Sequence, residues 1–151
     1  KYADVVIPKG FYVPEYRGRW LRGDRDPAEL SFEQGLVTNT LASIFVTMGI
    51  RVEAGPGELK RFDRSGRVKA VFRIEPSLKE HDIFASVGRL FTFMKSGRRK
   101  PRKVLVVPDE LQRHSSRASL VRSLREGGLI ILPYKVYAGK VDFEKERKVI
   151  K

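Results

Sequence analysis

The 151-residue chain contains no cysteine, which excludes disulfides and thiolate metal sites. Histidine occurs only as His81 and His114, too few for a multi-histidine zinc centre. Side-chain amides are confined to Gln34, Asn39 and Gln112; together with 32% charged residues this composition leans towards a thermophile. No apolar run approaches the roughly 18 residues of a membrane span, and no signal-peptide pattern is visible, so a cytoplasmic location without a membrane partner is expected. A Gly-x-x-x-x-Gly-Lys-Ser/Thr run is missing, which argues against a P-loop nucleotidase. There is no serine-centred nucleophile elbow either.

Acidic charge is also short. Eighteen Asp and Glu face 31 Lys and Arg, leaving a net charge of +13. Such an excess repels itself in a compact domain, and a polyanion relieves the repulsion. Nucleic acid is the polyanion the charge points to, with steeply salt-dependent binding. A length of 151 residues suits one domain with its own core.

The cations are clustered. Lys95, Arg98, Arg99, Lys100, Arg102 and Lys103 crowd one Gly- and Pro-containing loop, a candidate phosphate clamp or a solvated connection. Arg113 and Arg117 lie one helical turn apart and extend a cationic stripe. In the N-terminal arm, residues 1–26, Arg17, Arg19 and Arg22 alternate with Tyr16 and Trp20. Such a segment either stacks on unpaired bases while holding phosphates or lies on the domain as an apolar lid.

Asp26 and Pro27 cap and open a first helix, with Leu30, Val37, Leu41, Ile44, Phe45 and Met48 at helical spacing. Strands are predicted over 50–54, 58–63 and 67–75, the last from its two-residue alternation. A second helix is expected from Ser77 towards Lys95, opening on the Ser77/Glu80 capping-box spacing. A buried strand over 104–107, a third helix over 109–126 and a last strand over 129–132 follow. The predicted order is α-β-β-β-α-β-α-β, an α/β domain with a mixed sheet and helices on both faces. The core spans residues 27–133, and residues 134–151 form a charged tail.

Acidic residues fall at suggestive places in this order. Glu33 lies on the first helix, Asp63 ends Lys-Arg-Phe-Asp before a Ser-Gly turn, and Glu75 ends Ala-Val-Phe-Arg-Ile-Glu. With Ser-Val-Gly-Arg-Leu-Phe-Thr-Phe at 86–93, the segment from Ser31 to Leu132 resembles the PD-(D/E)xK nuclease superfamily, whose fold is restriction-endonuclease-like. The resemblance implies Asp63 and Glu75 as ligands of Mg²⁺ or Mn²⁺, Glu33 as an assisting carboxylate, and metal-dependent phosphodiester hydrolysis, with DNA favoured over RNA. Ser77 stands where the family carries its lysine, Arg89 and Phe93 replace Gln and Tyr, and Phe62 replaces the Pro before the Asp. Lys79 is the substitute cation. The competing reading is a catalytically inactive nucleic-acid-binding module or subunit of a larger assembly. Many members of the family dimerise, so a homodimer is also implied. Without the resemblance, Asp63 suits a plain turn and Glu75 a strand-end surface carboxylate.

Overall fold

The computed structural model describes residues 26–92, 100–113 and 115–143. Helix α1 (Pro27–Thr47) opens as the sequence requires: Asp26 accepts the Ala28 N–H on its side chain, and Pro27 stands at the first turn. Strands β1 (Val52–Gly55), β2 (Glu58–Phe62) and β3 (Val68–Ile74) form an antiparallel meander. Helix α2 (Glu80–Thr92) crosses back to β4 (Arg102–Pro108), which lies parallel to β3. Helices α3 (Glu110–Arg113) and α4 (Ser115–Glu126) make the next crossing to β5 (Ile130–Tyr137), parallel to β4, and β6 (Lys140–Asp142) returns antiparallel. The six strands lie in the sheet in sequence order.

Two successive parallel crossovers in the same direction carry their helices to the same face of the sheet. Ile83, Leu90, Leu111 and Val121 accordingly pack with Val71, Leu105, Val107 and Ile131. The alternate residues of the same strands, Phe72, Ile74, Val104, Val106 and Leu132, face α1 through Val37, Leu41 and Phe45. Phe45 and Phe72 meet with ring centroids 5.4 Å apart, a favoured aromatic separation. The mixed sheet with helices on both faces is therefore as expected.

Several boundaries differ from the sequence reading. Helix α2 begins at Glu80 rather than Ser77: the Lys79 carbonyl accepts the Ile83 N–H, and Ser77 Oγ accepts the Lys79 N–H ahead of the helix. Strand β4 begins at Arg102, inside the expected basic loop. Strand β5 runs through Pro133 to Tyr137. Its second neighbour, β6, pairs only from Lys135 onward, so at Pro133 a strand flanks it on one side only, where a missing N–H is tolerated. Tyr134 and Phe143 both lie in the core, so within the charged tail residues 134–143 supply the end of β5 and the terminal strand β6. Of the N-terminal arm, Arg17, Arg19 and Arg22 lie outside the described residues, as do Lys95, Arg98 and Arg99 of the basic loop.

One turn is tied to α1. Gly57 has φ +67°, and a Cβ built there would stand 2.4 Å from Gln34 Nε2, the nitrogen that donates to the Ile74 carbonyl at 2.9 Å. Gly66 has φ +85° but open space around it. Gly66→Ala should cost about 1–2 kcal/mol for its left-handed backbone. Gly57→Ala should cost a further ~1 kcal/mol, because Gln34 must give up its hydrogen bond. Urea denaturation of the two variants checks the order, and equal losses would sever the proposed link between turn and helix.

Candidate nucleic-acid interface

An antiparallel hairpin places the end of its first strand beside the start of its second. Asp63 therefore lies next to Arg67, whose carbonyl accepts the Asp63 N–H at 2.8 Å. Glu75 follows eight residues further along β3, about 26 Å away at the usual rise per residue. The expected pair of metal-holding carboxylates is not formed: Asp63 and Glu75 stand at opposite ends of the sheet. Glu33 is separated from both. It is a buried residue of α1 and accepts a hydrogen bond from the Tyr134 hydroxyl, on the sheet face opposite the one from which Glu75 reaches α2. Among the described residues no group of three or more His, Cys, Asp or Glu could hold a metal ion. The donors do not fit Mg²⁺ or Mn²⁺, which need several oxygens around one ion.

Each carboxylate has a local task instead. Asp63 Oδ1 accepts from the Ser65 N–H, the Ser65 hydroxyl and the Arg67 N–H at 2.6–3.0 Å. These bonds, led by the Ser65 hydroxyl, hold its pKa below the ordinary aspartate value. It is a turn residue. Glu75 accepts from the Ser86 hydroxyl at 2.5 Å and from the Ser77 N–H at 3.0 Å. Ser77 donates in turn to Asp82 at 2.6 Å. So Ser77, which stands where the nuclease pattern carries lysine, spends its hydroxyl on the start of α2. Lys79 is exposed just before that helix.

The register brings a different carboxylate towards Glu75. Glu58 pairs with Arg73, two residues before Glu75, and Arg73 interacts electrostatically with both. Its guanidinium also donates to the Ser86 hydroxyl and to the Pro56 carbonyl. Counting outward from the Ser65-Gly66 turn sets Glu58 opposite Arg73 and Pro56 opposite Glu75, which brings Glu58 and not Asp63 near Glu75. A guanidinium already supplies the positive charge that a metal would bring.

The cations sort the other way. Phe62 donates its N–H to the Arg51 carbonyl, and Arg61 and Arg102 both pair with Ala70, from opposite sides. Arg51, Lys60, Arg61, Arg64, Arg67, Lys69, Lys100, Arg102 and Lys103 thus gather at the hairpin end of the sheet. Residues 48–53, 60–70 and 100–103 contain those nine cations and two carboxylates, Asp63 and Glu53, the latter opposite Lys60. Burial and the nearby charge of Arg102 lower the pKa of Arg61, a sign of crowding among like charges, although an arginine keeps its proton. The Arg51 guanidinium lies 4.5 Å from the centre of the Phe62 ring, and the Lys103 ammonium 4.5 Å from that of Phe91. An open cleft of about 770 Å³ lies here, with Arg51, Arg61, Arg64 and Lys69 in its lining.

Sequence reasoning placed Arg113 and Arg117 among the phosphate contacts. Arg113 instead pairs with Asp109 at 2.5 Å. Arg117 donates to the Leu78 carbonyl at 3.2 Å and approaches Glu80 at 3.6 Å. Both serve the acidic end of the sheet. Of the expected loop cations, Arg102 and Lys103 lie in β4 and Lys100 just before it, at the hairpin end of the sheet. Arg51, Arg61, Arg64, Arg67 and Lys69 were missed, because in sequence they are scattered among strand residues and only the hairpin gathers them.

Compared with known proteins, the chain matches no family model, no curated protein and no solved structure.

Burial is the main influence on Glu75 and raises its pKa, opposed by the hydrogen bonds from Ser86 and Ser77; Asp82 adds to the rise and Arg73 counters it. A carboxyl whose folded pKa exceeds its unfolded value ionises first in the unfolded chain. Its contribution to stability is thus whole below about pH 4.3, the ordinary glutamate value, and is lost as pH rises through the raised folded value. Glu75→Gln can keep both contacts, its oxygen accepting from Ser77 and its NH₂ donating to Ser86. Urea midpoints between about pH 4 and 7 should fall more steeply for the wild type than for this variant. Parallel curves would remove Glu75 as a source of pH dependence.

Proposed function

We propose that this domain binds nucleic acid through the cationic hairpin end of its sheet and does not cut it. The observation that carries the reading is the concentration of Arg51, Arg61, Arg64, Arg67, Lys69, Lys100, Arg102 and Lys103 at one end, with Asp63 turned to its own loop. Ion pairs at the other end neutralise Arg113 and Arg117. Among the described residues none ties Arg51, Arg64 or Lys69. Cations left without carboxylate partners are the groups that exchange counterions for phosphates.

The order α1-β1-β2-β3-α2-β4, with β4 parallel to β3, supports kinship with the restriction-endonuclease-like fold, and DNA is the polymer that this kinship favours. Phosphodiester hydrolysis by Asp63, Glu75, Glu33 and Lys79 is not part of the proposal, since no shared metal site joins them. The domain is a non-cleaving relative, used alone or as a subunit of a larger assembly.

Arg64 and Arg67 are exposed turn residues, so replacing them should leave the fold intact. Arg64→Ala with Arg67→Ala should weaken binding for all sequences and flatten the plot of log affinity against log salt by up to about two units. Arg113→Ala at the acidic end should leave the slope alone. Fluorescence anisotropy with a labelled oligonucleotide over a salt series measures both. An unchanged slope in the double variant would defeat the assignment.

A further inference from the structure

We propose that the cleft at the hairpin end accepts an unpaired nucleotide, so that the preferred ligand is single-stranded nucleic acid or a strand end rather than an intact duplex. The inference rests on the nucleic-acid reading and gives it a substrate class. Contact with a phosphate ladder needs only exposed cations on a gently curved surface. This end has more than that. Its cleft of about 770 Å³ lies in the range that encloses small molecules, about 300–1,000 Å³.

Besides the Asp63 carboxylate, whose Oδ1 is bonded within its own turn, the lining has two characters. Met48, Ile50 and Phe62 supply apolar surface, and Met48 is 42% exposed. Arg61, Arg64 and Lys69 supply cations in the same lining. A nucleotide has the matching halves, a flat base with apolar faces and an anionic phosphate. Phe62 also carries the Arg51 guanidinium at 4.5 Å from its ring centre. Aromatic rings and guanidinium planes are the two surfaces on which unpaired bases stack. In a duplex the base faces are already stacked on one another, so only an unpaired base can use this lining.

The hairpin geometry assembles these parts. The end of α1 delivers Met48, and Gly49, with φ +74°, turns the chain so that Ile50 and Arg51 enter alongside Phe62. The Ser65-Gly66 turn lifts Arg64 onto the rim. None of these residues draws on the network around Glu75 at the other end.

The test compares a labelled single-stranded oligonucleotide with a blunt duplex of equal length, at one salt concentration, by fluorescence anisotropy with the full chain. The single strand should bind at least about fivefold more tightly, the lower bound expected from stacking one base. Phe62→Leu, which keeps apolar bulk and removes the ring, should reduce single-strand affinity several-fold and leave duplex affinity unchanged. A second readout uses the wild type alone: a 2-aminopurine in the single strand should lose emission on binding, and the same base in the duplex should not. Equal affinity for the two ligands, or a single-strand affinity indifferent to Phe62→Leu with unchanged 2-aminopurine emission, overturns the inference. In that event the salt dependence of Arg64→Ala with Arg67→Ala would still stand, so the two proposals fail separately. Failure of both ligands to bind at low salt would remove the nucleic-acid reading itself.

Discussion

The pairing of β2 with β3 decides where charge goes in this molecule. Once Arg61 stands opposite Ala70 and Glu58 opposite Arg73, every other residue of the hairpin is assigned to one end or the other. Strand β4 then extends the division, because its parallel alignment sets Arg102 beside Ala70 and Val106 beside Ile74. A shift by one residue would move the buried set of β3 to the wrong face. Phe72 and Ile74 against α1, with Val71 against α2, make that slip costly. Core packing therefore fixes the electrostatics.

The division has unequal chemistry at its two ends. At the acidic end, carboxylates find partners inside the fold: Glu75 with Ser86 and Ser77, Asp82 with Ser77, Asp109 with Arg113. Helix starts lie there as well, where acidic side chains complement the positive end of the helix dipole. At the hairpin end the chain supplies hardly any carboxylate. Arg61 and Arg102 lie two strands apart, about 10 Å between backbones, near the screening length of physiological salt. Their repulsion is only partly damped, so a phosphate chain arriving there gains attraction and also relieves strain already present.

Much of the fold was legible in the sequence. Asp26-Pro27 announced α1, the alternation at 67–75 announced β3, and the apolar run at 104–107 announced β4, because local patterns reflect local hydrogen bonding and face burial. The failures share a cause. Pro133 read as a stop, but a strand with one neighbour at that point accepts it. Asp63 and Glu75 looked adjacent because they are twelve positions apart across a tight turn. Antiparallel pairing reverses that inference, since residues equally far from the turn meet and residues at the two far ends of one strand do not. The basic loop was visible as a run, whereas the cations of β2, the turn and β3 were hidden by their spacing.

The same reversal explains why this order of elements does not bring Asp63 and Glu75 together. A metal site needs carboxylates converging from neighbouring strand ends, and in this hairpin the residue that meets the end of β3 comes from the start of β2. That position is occupied by Glu58, but the residue opposite it is Arg73. A guanidinium with Glu58 and Glu75 nearby and a hydrogen bond to Ser86 neutralises the acidic cluster from within. To recruit a divalent ion the chain would first have to lose Arg73, and the loss would leave Glu75 buried without its compensating charge.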